Sequence, residues 1–295
     1  MLLHLLLLVQ AGTPGPTLVY SGRAGQTEIR APRIDAEITV DGRLDEPVWA
    51  QAAVLTGFSQ YAPNDGVPAL DSTEVLVWYS GSAIHFGVRA FEAHGAVHAT
   101  LSDRDRIFSD DNIQILLGTF HDGRQALMFA VNPLGVQADG AVVEGRNTST
   151  GGFLSSAVVG REQADLSPDY VFQSRGQITD YGYEVEIRIP FKSLRYQSAA
   201  EQTWGLNIVR QVQHAGHEDS WIPAKRAQTS FIGQSGSIVG LTDLHRGLVM
   251  DVNPELTGKV SGAPGTTGYS YDVGNPQLGG NARWGITNNL SLNAT

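Results

Sequence analysis

The chain has no cysteine, so a disulfide framework and a thiolate metal site are both excluded, and thiol usage gives no reading of the redox compartment. Basic residues are also short: 20 Lys and Arg against 30 Asp and Glu leave a formal charge of -10. That sign repels nucleic acid and anionic headgroups and leaves neutral ligands or cations as partners. The apolar run 1–11 is too short to cross a bilayer as a helix, which takes about 20 residues. It matches the core of a secretory signal, without the Lys or Arg flank that usually precedes one. Missing too are a phosphate-binding loop, an EF-hand spacing and a nucleophile set beside a base, so the chain reads as non-catalytic.

What is present is turn-forming sequence between short apolar stretches. The 34 glycines and 13 prolines, in a chain that is 41% hydrophobic, point to a turn-rich β protein rather than a disordered one. At 295 residues the chain can hold one large β domain or two smaller ones. Its organising stretch is 109–145. After Asp110, Asp111 and Asn112 comes the apolar run 113–120; His121, Asp122 and Gly123 supply a turn, and 125–131 reads as the return strand. Asn132-Pro133-Leu134-Gly135 then breaks the chain, because proline cannot donate to a ladder and glycine takes the dihedrals of a tight turn. A third strand is expected over 136–143.

Upstream, 12–32 reads as a linker, 37–40 as a strand, and Asp45-Glu46-Pro47 as the start of a short helical turn carrying Trp49, a packing residue at one end of a sandwich. Tyr61 is the large exposed aromatic candidate of the loop 58–71. Strands over 74–79 and 83–91 alternate so that Val75, Val77 and Tyr79 oppose Leu76 and Trp78, which suits a sheet partly covered on both faces. Asp103, Asp105, Asp110 and Asp111 fall within nine residues of chain; they can share calcium, a cation that takes six to eight oxygens, or be solvated turn residues.

Downstream, 169–179 and 182–191 read as a hairpin with Val185, Ile187 and Ile189 inward and Glu184, Glu186 and Arg188 on a solvated face. A strong strand over 204–212 precedes a loop holding His214, His217, Glu218, Asp219 and Trp221. An indole beside charged groups suits a sugar, whose C–H face stacks on rings while its hydroxyls are fixed by polar side chains. Trp221, Trp78, Arg210, His217 and Glu218 are the candidate carbohydrate contacts, with a loop anchor as the other role for Trp221.

Past residue 245 the pattern changes. Met250, Val252, Leu256 and Val260 alternate with polar residues; after a Gly/Ser/Thr/Tyr loop to about 276, Leu278, Ala282, Trp284 and Ile286 do the same, and Thr287-Asn288-Asn289 turns the chain. Strands of about ten residues with one apolar and one polar face fit a transmembrane β-barrel. Three strands cannot close one, since open edges are not tolerated in lipid, so the chain reads as the amino-terminal part of a longer protein. A soluble β tail is the other reading of this stretch.

Asp41-Gly42-Arg43-Leu44-Asp45-Glu46-Pro47-Val48-Trp49, Asp110-Asp111-Asn112 leading a strand, Val131-Asn132-Pro133-Leu134-Gly135, the run 184–191 and Thr203-Trp204-Gly205-Leu206-Asn207 together resemble carbohydrate-binding module family 9 domains. More narrowly they resemble the version that precedes the barrel of DUF5916-type outer-membrane proteins. The likeness covers roughly 30–245. It implies an all-β chain: a jelly-roll-like antiparallel β-sandwich over 33–245, then the first strands of a truncated barrel over 246–295. It also implies a glycan as partner, bound calcium, and an outer-membrane protein with its sandwich in the periplasm, non-catalytic and without nucleic acid. The alternatives are a secreted sugar-binding module of a glycoside hydrolase whose catalytic domain lies elsewhere, and a structural plug with no small ligand.

Overall fold

The structure, a computed structural model, describes residues 18–92, 97–145, 161–245, 249–266, 268–285 and 291–294. Its strands, in chain order, are β1 (Val19–Ser21), β2 (Glu28–Ile29), β3 (Ala53–Thr56), β4 (Ser59–Ala62), β5 (Thr73–Tyr79), β6 (Ala83–Phe91), β7 (Asn112–Gly118), β8 (Gln125–Val131), β9 (Gln137–Val143) and β10 (Ala164–Asp165). Then come β11 (Gln173–Thr179), β12 (Gly182–Pro190), β13 (Glu201–Val212), β14 (His217–Ser220), β15 (Gly236–Thr242), β16 (Val249–Thr257), β17 (Val260–Gly265), β18 (Gly268–Val273), β19 (Gln277–Gly285) and β20 (Ser291–Ala294).

Two sheets face one another as a β-sandwich. The smaller runs β1-β3-β5-β6-β12-β11; the larger runs β10-β9-β8-β7-β13-β14-β4, with β15 joining β13 and β2 joining β15. Apart from the parallel β1–β3 and β2–β15 pairs, the ladders are antiparallel. The twelve-residue β13 is the hub of the larger sheet: β7 lies along one side, while β15 takes its first half and β14 its second on the other.

Period-two alternation decides what each strand buries. Val75, Val77, Phe86, Val88, Val185 and Ile187 from the small sheet meet Ile113, Ile115, Phe129, Trp204, Leu206 and Ile208 from the large one in the layer between them. Each such side chain contributes about 1.5–3 kcal/mol when withdrawn from water.

Both outer faces are also covered. Leu44, Val48 and Trp49 close over Leu76 and Trp78 on the small sheet, and Tyr61, Ile107, Phe231 and Ile232 pack with Leu116, Met128 and Val209 on the large one. The segment 34–40, read as carrying a strand, has no ladder of its own; Ile34, Ala36 and Ile38 lie against the Trp49–Trp78 cluster. Trp49 sits in a short 3-10 turn, Trp49–Gln51, anchored by Glu46, whose side chain accepts the indole N–H at 3.1 Å. It therefore seals a sheet face, not the end of the sandwich.

Three further expectations are corrected by these covers. Residues 18–32, read as linker, supply β1 and β2, and Ile29 is fully buried in the central layer. Tyr61 is buried, not exposed, because β4 pairs with β14 beneath Phe231. Glu186 lies under the Asp41-Gly42 turn and accepts both amide N–H groups at 2.8 and 3.1 Å, so the face it shares with Glu184 is not solvated.

Residues 1–17 and the expected turn at 287–289 lie outside the described residues. Beyond 245, β16 pairs with β19 and β19 with β20, and no closed barrel forms among the described residues. The stretch read as a loop to about 276 is instead the hairpin β17–β18, with Tyr269 and Tyr271 on one face. Register sets apolar against apolar: Met250 opposite Trp284 opposite Leu292, Val252 opposite Ala282, Leu256 opposite Leu278. Asn253 opposite Asn281 falls on the other face. The apolar face is exposed, Leu278 at 85% and Leu256 at 72%. No described helix is long and apolar enough to cross a membrane.

Candidate functional site

Four of the five residues picked out for carbohydrate contact are dispersed rather than gathered. Trp221 is fully buried between the sheets, its backbone N–H on the Ile208 carbonyl at 2.9 Å. Gly22 packs so tightly on it that an added Cβ would lie 1.8 Å from the Trp221 carbonyl oxygen. Trp78 lies beneath Trp49 and stacks flat on His85 at 3.8 Å. Neither indole offers a face to a ligand, because each falls on the covered side of its sheet. Arg210 is the next inward position after Ile208, and its guanidinium donates to Ser72 O at 3.0 Å, Thr73 Oγ1 at 3.1 Å and Phe91 O at 2.9 Å. It ties the two sheets together. His217 opens β14 half-buried, and Glu218 beside it turns to the outer face of the large sheet.

The four aspartates do not converge on a cation. Asp110 accepts from the Thr100 N–H at 3.0 Å and the Asn132 side-chain amide at 2.8 Å; Asp111 accepts from the N–H groups of His98 and Gln213, both at 2.6 Å. Asp105 has φ 66° and accepts from the Asp139 N–H, while Asp103 is exposed in the preceding turn. Main-chain and side-chain donors already occupy the carboxylate oxygens of Asp110 and Asp111. Among the described residues no three His, Asp or Glu side chains gather to hold a metal.

Glu218 belongs to a different group. On the outward positions of β7, Asn112 donates to the Asp110 carbonyl and Gln114 donates to Asn112, each at 2.9 Å. Arg161 closes this polar row: it donates to Gln114 Oε1 at 3.0 Å and to Glu218 Oε2 at 3.1 Å, with its guanidinium 5.5 Å from the centre of the Phe231 ring. Tyr61 meets Phe231 edge-on at 4.8 Å. Glu162 accepts the Phe231 N–H at 3.0 Å and fixes that ring from behind.

The electrostatics follow from burial. The Glu218 carboxyl is pushed up by desolvation, with Arg161 opposing the shift, and its Oε1 has no hydrogen-bond partner among the described residues. The Tyr61 phenol is pushed up to about 12 by burial and then by the Glu218 charge. Asp219, the next residue, points to the inner layer instead and is pushed up to about 6 by burial, against the pull of Arg210. The carboxylate, the amide and the two rings are themselves buried, and Arg161 is the member of the group left partly open. Glu184 is held by Arg89, Gln177 and Tyr181, and Glu186 by its turn.

Of this group the sequence singled out Glu218, as a sugar contact, and Tyr61, as an exposed aromatic. Gln114 had a signal, a polar residue inside the run Ile113–Leu117 at an outward position. Arg161 and Phe231 had none, being far from β7 and β14 in the chain.

Compared by sequence, the chain matches no protein-family model and no curated protein. By structure it is similar to a candidate carbohydrate-binding protein from Bacteroides uniformis, with a TM-score of 0.54 at 11% identity over 72% of this chain and 98% of that one. It is also similar to a carbohydrate-binding module family 9 domain from Caldicellulosiruptor kristjanssonii, solved with cellotriose (TM-score 0.48, 13% identity, 73% of this chain and 95% of that one). The same module with glucose gives a TM-score of 0.48 at 13% identity, over 73% and 97%. At 11% identity the likeness to the Bacteroides uniformis protein shows the fold alone.

Proposed function

We propose that the sandwich is a non-catalytic carbohydrate-binding domain whose ligand enters at Arg161, the partly open member of the otherwise buried row Gln114–Arg161–Glu218 on the outer face of the large sheet. The observation that carries this is the buried Glu218 carboxylate with one unpartnered oxygen, set among an amide, a guanidinium and the Tyr61–Phe231 rings. A buried polar atom without a partner is costly, and a sugar hydroxyl that reaches it by displacing the Arg161 side chain recovers that cost on binding. The structural neighbour at a TM-score of 0.54 is named as a candidate carbohydrate-binding protein, which is consistent with this reading.

The ribbon β16–β20 supports a second part of the proposal: the domain is carried at the periplasmic face of an outer-membrane β-barrel. Nine-residue strands with matched apolar faces open to the surroundings are what lipid-facing strands need. Glycan-array binding and calorimetry of the full chain test the sugar reading. Glu218→Gln and Arg161→Ala are each expected to weaken binding at least tenfold, since a hydrogen bond to a charged group contributes about 1.5–3 kcal/mol. An array without hits on folded protein sinks the reading and favours a structural plug.

A further inference from the structure

A second opening lies at the other end of the sandwich from Arg210. Arg210 pairs with Ile113 at the start of β7, whereas this cavity begins at Leu117, Thr119 and Phe120, where β7 gives way to its turn. Its volume is about 490 Å³, within the range of roughly 300–1,000 Å³ usual for small-molecule sites. Leu117, Leu127 and Val143 make an apolar floor from the ends of β7, β8 and β9.

Two rings and three polar side chains shape the rest. Phe120 is 38% exposed, so part of its ring is open to a ligand. Tyr170 is held on the opposite wall by Phe129, ring to ring at 5.8 Å, and by its own N–H on Asp139. The segment bearing Arg195 is pinned by Thr119, whose hydroxyl donates to the Arg195 carbonyl at 2.5 Å, and by Ser193, which donates to Val171 O at 2.6 Å. The cavity is therefore preformed. Gln125, Asp169 and Arg195 border it with an amide, a carboxylate and a guanidinium, and the two charges balance.

We propose that this cavity is a second carbohydrate subsite, taking a neutral pyranose with its C–H face on Phe120 and Tyr170 and its hydroxyls on Gln125, Asp169 and Arg195. An acyl chain would need no such polar border, and a charged ligand would leave one of the opposed charges repelled. The inference rests on the sugar-binding reading of the domain, but its residues are separate from Gln114, Arg161 and Glu218.

Calorimetric titration of the full chain with cellotriose, xylotriose and mannotriose tests it. The expected result is two classes of site, one weakened about tenfold or more by Phe120→Ala, the loss of a stacking ring, and the other by Glu218→Gln. Arg195→Gln, which leaves the pinned backbone in place, should act with Phe120→Ala. A single site lost in Glu218→Gln and untouched by Phe120→Ala and Arg195→Gln overturns the second subsite and leaves the domain's function standing. A single site lost only in Phe120→Ala supports the cavity and removes Glu218 from sugar binding. No binding of any of the three overturns both.

Discussion

Replacing Glu186 by glutamine removes a carboxylate that the fold holds out of water under the Asp41-Gly42 turn. Burial pushes its pKa up from 4.5 to about 7; the two turn amides pull the other way, and the neighbouring Glu46 and Asp41 charges push it up again. The folded state thus keeps a proton that the unfolded chain releases from about pH 4.5 upward, so stability is highest at low pH and falls as pH rises toward 7. With those two values the loss between pH 5.5 and pH 8.5 is roughly 2 kcal/mol. His85 acts in the opposite sense. Its pKa is pushed down to about 3 by burial and by Arg188, so its share of stability is present above pH 6.5 and lost as pH falls toward 3. The difference between wild type and Glu186→Gln isolates the carboxylate. Urea unfolding followed by tryptophan fluorescence at pH 5.5, 6.5, 7.5 and 8.5 should show the variant gaining on wild type at each step, and by roughly 2 kcal/mol across the series. Parallel curves for the two proteins would refute the argument, because a carboxylate already ionised in the fold contributes no slope.

The remaining predictions concern other layers of the molecule. Arg210→Met takes the guanidinium donors from Ser72 O, Thr73 Oγ1 and Phe91 O and leaves Glu92 and Asp219 without its charge; it should cost about 3–5 kcal/mol in urea unfolding, the range for one partner removed from a buried ionic group. The His85 imidazole should stay neutral from pH 8 to pH 4.5, so its ring C–H resonances should not move in an NMR titration. Val252→Arg on the apolar face of β16 should weaken association of the full chain with phosphatidylcholine vesicles by about 2–4 kcal/mol if that face meets lipid at mid-depth; unchanged flotation with vesicles contradicts the barrel proposal.

Strand positions were legible wherever alternation coincided with turn chemistry. The run around Ile113, the His121-Asp122-Gly123 turn and the Asn132-Pro133-Leu134-Gly135 break placed β7, β8 and β9 within a residue or two. What alternation does not report is a second cover. Glu184 and Glu186 alternate with Val185 and Ile187 as a solvated face would, and only the fold brings Asp41 and Gly42 down on them. Trp221 follows His217-Glu218-Asp219-Ser220, a polar stretch that reads as loop yet pairs with β13 and buries the indole. The Arg161–Gln114–Glu218 group joins three distant parts of the chain, and no local pattern encodes such a meeting. The Gly, Ser and Tyr of β17 and β18 have weak strand propensity apart from the tyrosines, so their pairing as a hairpin was not visible either.

The first two strands of the described chain go to different sheets: β1 lies beside β3 in one, and β2 lies beside β15 in the other. A polypeptide emerging amino end first would therefore carry Glu28 and Ile29 unpaired until Ser237 and Ile238 had arrived. Closing that span late favours slow assembly, with a sticky unsatisfied edge exposed meanwhile. Chaperone escort before that late pairing is where such a molecule would show its vulnerability.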